Sequence, residues 1–221
     1  MKNTITRSAG QPEEENPEKI VFDGLMRYER QVPVTQVSYY LTGEICEAQC
    51  YTELFHTLRT ASSTDLIYLH LNSPGGDLDT GLQIINNMKA SPARVVTLLE
   101  ARAFSMAALI FLCGDELIVH DNCQLMFHTY SGSLAGKGNE QQAELKAISH
   151  WFEKVMSRIC SPFLSDAEIE KILKGGDVWM DSDEIRRRLN RLQNAKKPLE
   201  SPRKKAAAKP KEPVVVVGGT A

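Results

Sequence analysis

A serine and a histidine each stand where an apolar segment meets a turn, which is where catalytic side chains are often placed. Ser105 follows a predicted strand and opens a strongly apolar helix. The unpaired N–H groups and the positive dipole end of a helix start can stabilise a negatively charged oxygen. That setting suits a nucleophile for acyl transfer, but a serine is also a common N-cap residue. The segment alone leaves both interpretations open.

Two adjacent glycines follow a predicted buried strand in the segment 72–76 (NSPGG). Neighbouring glycines adopt backbone angles closed to other residues and let another part of the chain approach closely. A backbone N–H exposed there can donate to an oxyanion, an effect worth about 10²–10³ in turnover. The alternative is a plain turn between a strand and a helix. A phosphate-binding loop is excluded, because the spacing GxxxxGK[ST] is absent.

His128 ends the apolar run 124–127 and precedes a polar, glycine-containing segment, a place that suits a general base. The other histidines fall within predicted helices or strands. The acidic partner is the least determined residue, because 28 acidic side chains compete for the role. Asp177 follows two glycines and enters an apolar run, which predicts a partly buried and paired carboxylate. Asp181 and Asp183 are the nearby alternatives.

The elements that must position these residues alternate between strands and helices, which predicts an α/β fold built from β-α-β units. The predicted strands are Gln36–Leu41, Asp65–Leu71, Arg94–Leu99, Glu116–His120 and Gln124–Phe127. The predicted helices are Ile45–Ala61, Leu78–Met88, Ser105–Cys113 and Gln141–Ile159.

The composition is typical of one globular domain with two tails. Of 221 residues, 42% are hydrophobic and 24% are charged. We expect a flexible N-terminal segment at 1–20, a folded domain at 21–191, and a flexible Lys/Ala/Pro-rich tail at 192–221. The net charge is −2, although the residues from 191 onward carry +6. A basic character confined to one tail argues against nucleic-acid binding by the domain.

Cysteine usage and the N-terminal sequence predict a cytoplasmic protein. The five cysteines are an odd number with no metal-type spacing, so we expect reduced thiols and no metal site. The N-terminus lacks the apolar core of a signal peptide. No segment approaches the roughly 18–20 apolar residues of a membrane span. No cofactor is predicted.

Four segments in order resemble those of the Clp protease proteolytic subunit, a self-compartmentalising serine peptidase. They are IYLHLNSPGG (67–76), FSMAA (104–108), LMFHT (125–129) and GDVWMDSDEI (176–185). The intervals of 23 residues from serine to histidine and 49 from histidine to aspartate are close to those of the family. The resemblance runs from about Val37 to about Leu189. It implies a ClpP/crotonase-like α/β fold of repeated β-β-α units with a protruding handle helix.

The resemblance also implies a role for each motif residue. Ser105 would be the nucleophile, His128 the base, and Asp177 the acid that orients the imidazole. The backbone N–H groups of Gly76 and Met106 would form the oxyanion hole. The expected reaction is therefore hydrolysis of peptide bonds through an acyl-enzyme intermediate.

The same resemblance implies how substrates and subunits meet. An extended polypeptide substrate would lie between Leu78 and the segment Ser131, Gly132 and Ser133, added as a strand. The helix Gln141–Ile159 would be the handle that joins two stacked rings of identical subunits, usually heptamers. A Clp-type unfoldase ATPase would then feed substrate into the rings.

Several features depart from the family pattern. Ala107 stands where glycine is common, and the interval from Ser105 to His128 is about two residues shorter than in typical bacterial members. The N-terminal region also differs, and the basic tail is unusual. These departures leave open a processing protease of the type that some tailed bacteriophages use to mature capsids.

Three further alternatives remain. One is a catalytically silent ring or scaffold subunit, and another is a crotonase-like acyl-CoA enzyme. The third is a serine–lysine dyad, for which the candidate bases are Lys137, Lys146 and Lys154.

Overall fold

The chain forms two compact units that divide between His120 and Asp121. A computed structural model describes residues 20–22, 25–27 and 33–196. Most of the two predicted tails, including the C-terminal run VVVVGGTA, lies outside the described residues. Helix α6 (Ser182–Lys196) continues past the predicted domain boundary at residue 191.

Unit 1 contains a parallel sheet in which β3, β4 and β5 pair in that order and β6 pairs with β5. A short antiparallel pair, β1 with β2, precedes it. The strands are β1 (Ile20–Phe22), β2 (Leu25–Arg27), β3 (Gln36–Thr42), β4 (Leu66–Ser73), β5 (Arg94–Phe104) and β6 (Glu116–Val119). The helices are α1 (Thr52–Thr60), α2 (Leu78–Ala90) and α3 (Met106–Leu112).

The strands of the unit 1 sheet differ in burial. Along β4 the buried residues Ile67, Leu69 and Leu71 alternate with the half-exposed Tyr68 and His70, so β4 buries one face. In β5 the consecutive residues 95–97 are all buried, so this strand is covered on both faces there. Helix α3 contributes an almost wholly buried apolar run to unit 1. The turn after β5 therefore leads directly into a buried helix.

Two elements of unit 1 differ from the prediction. Strand β5 runs to Phe104 instead of Leu99, because β4 pairs with it again at Ser73 and Ala103 after a register shift. The predicted helical start at Ile45 is wrong. Its main chain pairs with Gly76, and helical structure begins only with a 3-10 turn at Ala48–Tyr51.

Unit 2 contains a two-stranded antiparallel ladder and three helices. The strands are β7 (Gln124–Phe127) and β8 (Val178–Asp181), and the helices are α4 (Gly138–Cys160), α5 (Asp166–Leu173) and α6 (Ser182–Lys196). Neither α5 nor β8 is predicted from the sequence. The alternation of strands and helices along the chain confirms the predicted α/β class.

The two halves of helix α4 differ in burial. In the second half, Phe152, Val155 and Met156 are buried in unit 2. In the first half, almost every side chain is exposed, and Leu145 keeps 50% of its surface accessible. Trp151, at the junction, keeps 41%. The first half is therefore an exposed helical segment with apolar side chains. No helix in the described ranges is long and apolar enough to cross a membrane.

A charged cluster joins α5 to α6. The guanidinium of Arg188 donates to both carboxylate oxygens of Glu168, at 2.8 and 2.6 Å, and to Glu184 at 2.6 Å. These hydrogen bonds, together with those from Ser165, lower the pKa of Glu168 to about 2, although partial burial opposes the shift. A bidentate pair of this kind is stronger than a single surface ion pair.

We expect Glu168→Gln to lower the free energy of unfolding by about 1–2 kcal/mol at neutral pH, since a charge-assisted pair is lost. The folded pKa of Glu168 lies below the ordinary glutamate value of 4.5, so this stabilisation is present above pH 4.5 and disappears as the pH falls towards 2. Chemical denaturation at several pH values measures the difference between wild type and variant. Glu170→Gln, which breaks an exposed pair between α5 and the following residue Lys174, is the control and should change little.

Candidate active site

Ser105 has an unusual backbone conformation. Its φ of 54° and ψ of −124° make it the only non-glycine residue with positive φ in the described part of the chain. Such angles cost about 1–3 kcal/mol and cluster at functional sites. The Ser105 side chain makes no capping hydrogen bond to α3, so the N-cap alternative is not adopted. A sharp turn from strand to helix that presents a free serine hydroxyl is the geometry of a nucleophile elbow.

The glycine turn lies against this serine. A Cβ atom on Gly75 would stand 2.7 Å from Ser105 Cβ and 2.7 Å from the carbonyl oxygen of Phe104. A Cβ atom on Gly76 would stand 2.3 Å from the carbonyl oxygen of Ile45. Both glycines also have positive φ. Any other residue at either position would therefore force the turn away from its neighbours.

Two backbone amides near Ser105 remain available as donors. Gly75 N–H donates to Ser73 Oγ at 3.1 Å, and Asp77 N–H donates to the Ile45 carbonyl at 2.9 Å. The amides of Gly76 and Met106 have no acceptor among the described residues. These are the two amides that the family resemblance implies for the oxyanion hole, and both lie in the segments that meet at Ser105.

Helix α2 completes the surroundings of the turn in unit 1. Asp77 caps α2 by accepting from Thr80 N–H at 2.7 Å, and this hydrogen bonding lowers the pKa of Asp77. Leu78, a predicted substrate contact, is the half-buried first residue of α2. A Cβ atom on Gly81 would collide with the Met106 side chain, so this glycine lets α2 pack on the residue after Ser105.

Unit 2 brings the predicted base and acid to the same end of its ladder. Phe127 and Val178 form the last pair of the ladder, so His128 directly follows β7 and Asp177 directly precedes β8 at this end. Phe127 and Val178 are both buried, whereas His128 is half-buried and Asp177 is exposed. Asp181 lies at the other end of the ladder, opposite Gln124.

His128 and Asp177 flank the same end of the ladder, but their side chains are not bonded. No hydrogen bond or ion pair joins His128 to Asp177, and none is made by either side chain within the described residues. The prediction that Asp177 is partly buried and paired is wrong. The two glycines before it form an exposed turn, and burial begins only at Val178. Its backbone carbonyl accepts from Lys171 Nζ at 2.7 Å, which ties this turn to α5.

The competing acids and bases have other partners or are exposed. Asp181 accepts from the backbone of Glu184 at the start of α6, and Asp183 lies 3.9 Å from Arg186. The three candidate dyad lysines, Lys137, Lys146 and Lys154, are exposed. In unit 1, His70 and His120 both contact Glu100, at 2.5 and 3.5 Å.

The predicted substrate segment is an exposed stretch without regular structure. Ser131, Gly132 and Ser133 form no main-chain hydrogen bond within the described chain. Ser131 and Gly132 also line a cleft of about 710 Å³ between this segment and α4. An extended stretch with unpaired N–H and C=O groups can accept another strand.

The described residues contain no cluster of three or more side chains suited to a metal ion. None of the five cysteines forms a disulfide within the described residues. Burial raises the pKa of the Cys113 thiol to about 11, so this thiol stays protonated near neutral pH.

The part of the chain that contains these residues is similar to known proteins. A family model described as Clp protease matches residues 31–188. The chain is 30% identical over 134 residues to the ATP-dependent Clp protease proteolytic subunit of Lactococcus lactis subsp. cremoris, covering 58% of this chain and 66% of that protein. The protein of the same name from Streptococcus uberis is 30% identical, with 58% and 67% covered.

A more distant relative is the ATP-dependent Clp protease proteolytic subunit 3 of Streptomyces avermitilis, which is 27% identical over 124 residues. This alignment covers 54% of the chain and 56% of that relative, so the chain spans only about half to two thirds of these curated proteins. The matched region of the family model is well over half of the chain, and it includes Ser105, His128 and Asp177. The predicted ClpP-like fold class is thereby confirmed, and the chain belongs to the Clp protease family.

Proposed function

We propose that the protein is a serine endopeptidase in which Ser105 is the nucleophile. The observation that carries this proposal is the strained backbone conformation of Ser105. Its hydroxyl makes no capping hydrogen bond to α3, and the residue lies in contact with the glycine turn. A strained residue persists only where its surroundings hold it, and here those surroundings also leave two amides without acceptors. Membership of the Clp protease family supports a peptidase.

The proposed reaction proceeds in two halves. Ser105 Oγ attacks the carbonyl carbon of the scissile bond while His128 accepts the hydroxyl proton. The N–H groups of Gly76 and Met106 donate to the negatively charged oxygen that forms. The C–N bond then breaks, and the leaving amine takes the proton from His128. Water, deprotonated by His128, hydrolyses the resulting ester and restores the serine.

Asp177 would hold the imidazole of His128 in the tautomer that this reaction needs. Their positions next to the same end of the β7–β8 ladder support this assignment over Asp181, which pairs with Gln124 at the other end. The hydrogen bond between them would form in the substrate complex, because catalytic hydrogen bonds are often loose in the free enzyme.

Substrates would be polypeptides bound as an added strand. The unpaired main chain of Ser131, Gly132 and Ser133 supports this mode, with Leu78 on the other side of the substrate. Main-chain hydrogen bonds give affinity without selecting a sequence. An enzyme of this design accepts many sequences, so access to the site must limit which proteins it cleaves.

We propose that the subunits form a homo-oligomer through α4, as two stacked rings that are heptameric by resemblance to the family. The exposed Leu145 and Trp151 support this role, since isolated chains rarely leave large apolar side chains on the exposed half of a long helix. All three relatives above are named as subunits of an ATP-dependent protease. A Clp-type ATPase is accordingly one proposed partner, and ATP-independent processing of phage capsid type is the alternative.

A second candidate function is a catalytically silent ring or scaffold subunit. The missing hydrogen bond between His128 and Asp177 is the observation that favours it. A crotonase-like acyl-CoA enzyme needs no serine with positive φ, so the conformation of Ser105 argues against that reading.

We expect a fluorophosphonate probe to label the wild-type protein at Ser105. Ser105→Ala should abolish labelling, and His128→Ala should slow it by at least about 10³-fold, because the base no longer activates the hydroxyl. Mass spectrometry of the labelled peptide identifies the site. An assembled wild-type protein that takes no label would instead support the silent subunit.

Gly75→Ala should reduce the labelling rate by more than about 100-fold, because its Cβ would displace the turn from Ser105 and misplace an oxyanion donor. Gly138→Ala is the matched control, since a Cβ there meets nothing within 4 Å and Gly138 does not have positive φ. Circular dichroism checks that both variants are folded. Equal labelling rates in a folded Gly75→Ala variant would exclude the proposed oxyanion geometry.

Asp177→Asn should lower kcat for a fluorogenic peptide by about 10²–10⁴-fold with a smaller change in KM, because the imidazole loses its orienting charge. Asp181→Asn is the comparison, since Asp181 is the last residue of β8, which begins directly after Asp177, but its side chain caps α6. A larger loss of kcat in Asp181→Asn would assign the acid to that residue instead.

A further inference from the structure

We propose that Tyr130 is a positioning residue that anchors the substrate-binding segment 131–133 to helix α4. The inference rests on the proposed function, because it assumes that this segment pairs with an extended peptide. Tyr130 stands two residues after His128 and directly before the unpaired main chain. It therefore lies where an anchor could set the place of the segment relative to the proposed base.

The anchor consists of one hydrogen bond and one ring contact. The Tyr130 hydroxyl lies 2.8 Å from Ser149 Oγ, across an interval of 19 residues. Its ring meets Phe152 edge-on, with centroids 5.0 Å apart and planes at 65°. Phe152 is only 3% exposed and belongs to the buried second half of α4. Tyr130 is thus fastened to the part of α4 that is packed in unit 2.

The rest of the segment has no comparable attachment. Within the described chain, no other residue from 129 to 135 makes a hydrogen bond or a ring contact. The next tie is at Gly136, whose carbonyl accepts from Gln141 Nε2 at 2.9 Å. The segment therefore runs between two fixed points, Tyr130 and Gly136, and its position beside His128 depends on the first of them.

The Tyr130 contacts matter because an open cleft separates the rest of the segment from α4. The cleft is bounded on the α4 side by Leu145, Lys146, His150 and Glu153, and none of these side chains bonds to the segment. Without the Tyr130 contacts, the segment is free to enter the cleft or to move away from it. Strand addition to an unanchored segment must first order that segment, which weakens binding by the entropy lost. Because the Tyr130 contacts already order the segment in the free protein, less entropy is lost when a peptide binds.

The test removes the hydrogen bond from each end. Tyr130→Phe keeps the ring and Ser149→Ala keeps the helix, so each variant loses the same bond. We expect either one to raise KM for a fluorogenic peptide about two- to tenfold, with kcat changed less than twofold. The double variant should be no worse than either single variant, since one bond cannot be lost twice. Tyr68→Phe, on β4 in unit 1, is the control.

Amide hydrogen exchange gives a readout that does not need catalysis. Exchange at residues 131–135 should become faster in Tyr130→Phe and in Ser149→Ala, and should stay unchanged in Tyr68→Phe. Size-exclusion chromatography checks that the Ser149→Ala protein keeps the wild-type assembly.

Two results would overturn the anchor. The first is unchanged exchange and unchanged KM in both single variants. The second is a higher KM in Tyr130→Phe alone with unchanged exchange, which would mean that the hydroxyl contacts the substrate directly. If the wild type neither labels nor cleaves, the proposed function fails, and the role of Tyr130 in substrate binding fails with it. Faster exchange in the variants would then show only a structural attachment.

Discussion

The contact between the glycine turn and Ser105 is the constraint on which the candidate site depends. Gly75 lies so close to Ser105 that a single added carbon would not fit, and Gly76 is held in the same way by Ile45. These contacts, with the buried helix α3 behind them, offset the cost of the positive φ at Ser105. In the same arrangement the amides of Gly76 and Met106 have no acceptor among the described residues. Strain and donor placement therefore arise from one packing arrangement in unit 1, not from separate adaptations.

Unit 2 uses a different principle, since its proposed catalytic residues are placed by the ends of two paired strands. One antiparallel ladder brings His128 and Asp177 to the same end, next to the buried pair Phe127 and Val178. The exposed turn before Asp177 is supported from outside by Lys171 of α5, and α5 is fastened to α6 by the Arg188 cluster. A charged cluster with no chemical role thus contributes to the position of the proposed acid. Activity and acid stability are consequently linked through α5.

Much of this arrangement could be predicted from the sequence, and the failures have identifiable causes. Helix α2 was predictable because its apolar residues recur at helical spacing. The position of His128 at the end of a strand was predictable because an apolar run stops directly before it. The positive φ of Ser105 was not, because it comes from contact with a turn some thirty residues earlier. Helix α5 was missed although Ser165 and Glu168 form a capping box, which is a readable signal before a short helix. The choice of Asp177 needed the family resemblance, since only the pairing of β8 distinguishes it from Asp181.

The distribution of tryptophan has a spectroscopic consequence. The chain has two tryptophans, Trp151 at the junction in α4 and Trp179 in β8, and both belong to unit 2. Both are substantially exposed, Trp179 at 56%. Emission from the free chain should therefore lie towards the red, and unit 1 should contribute almost nothing to it. Any blue shift during assembly or ligand binding would report burial at α4 or beside the proposed acid, so native fluorescence follows these two places without an added dye.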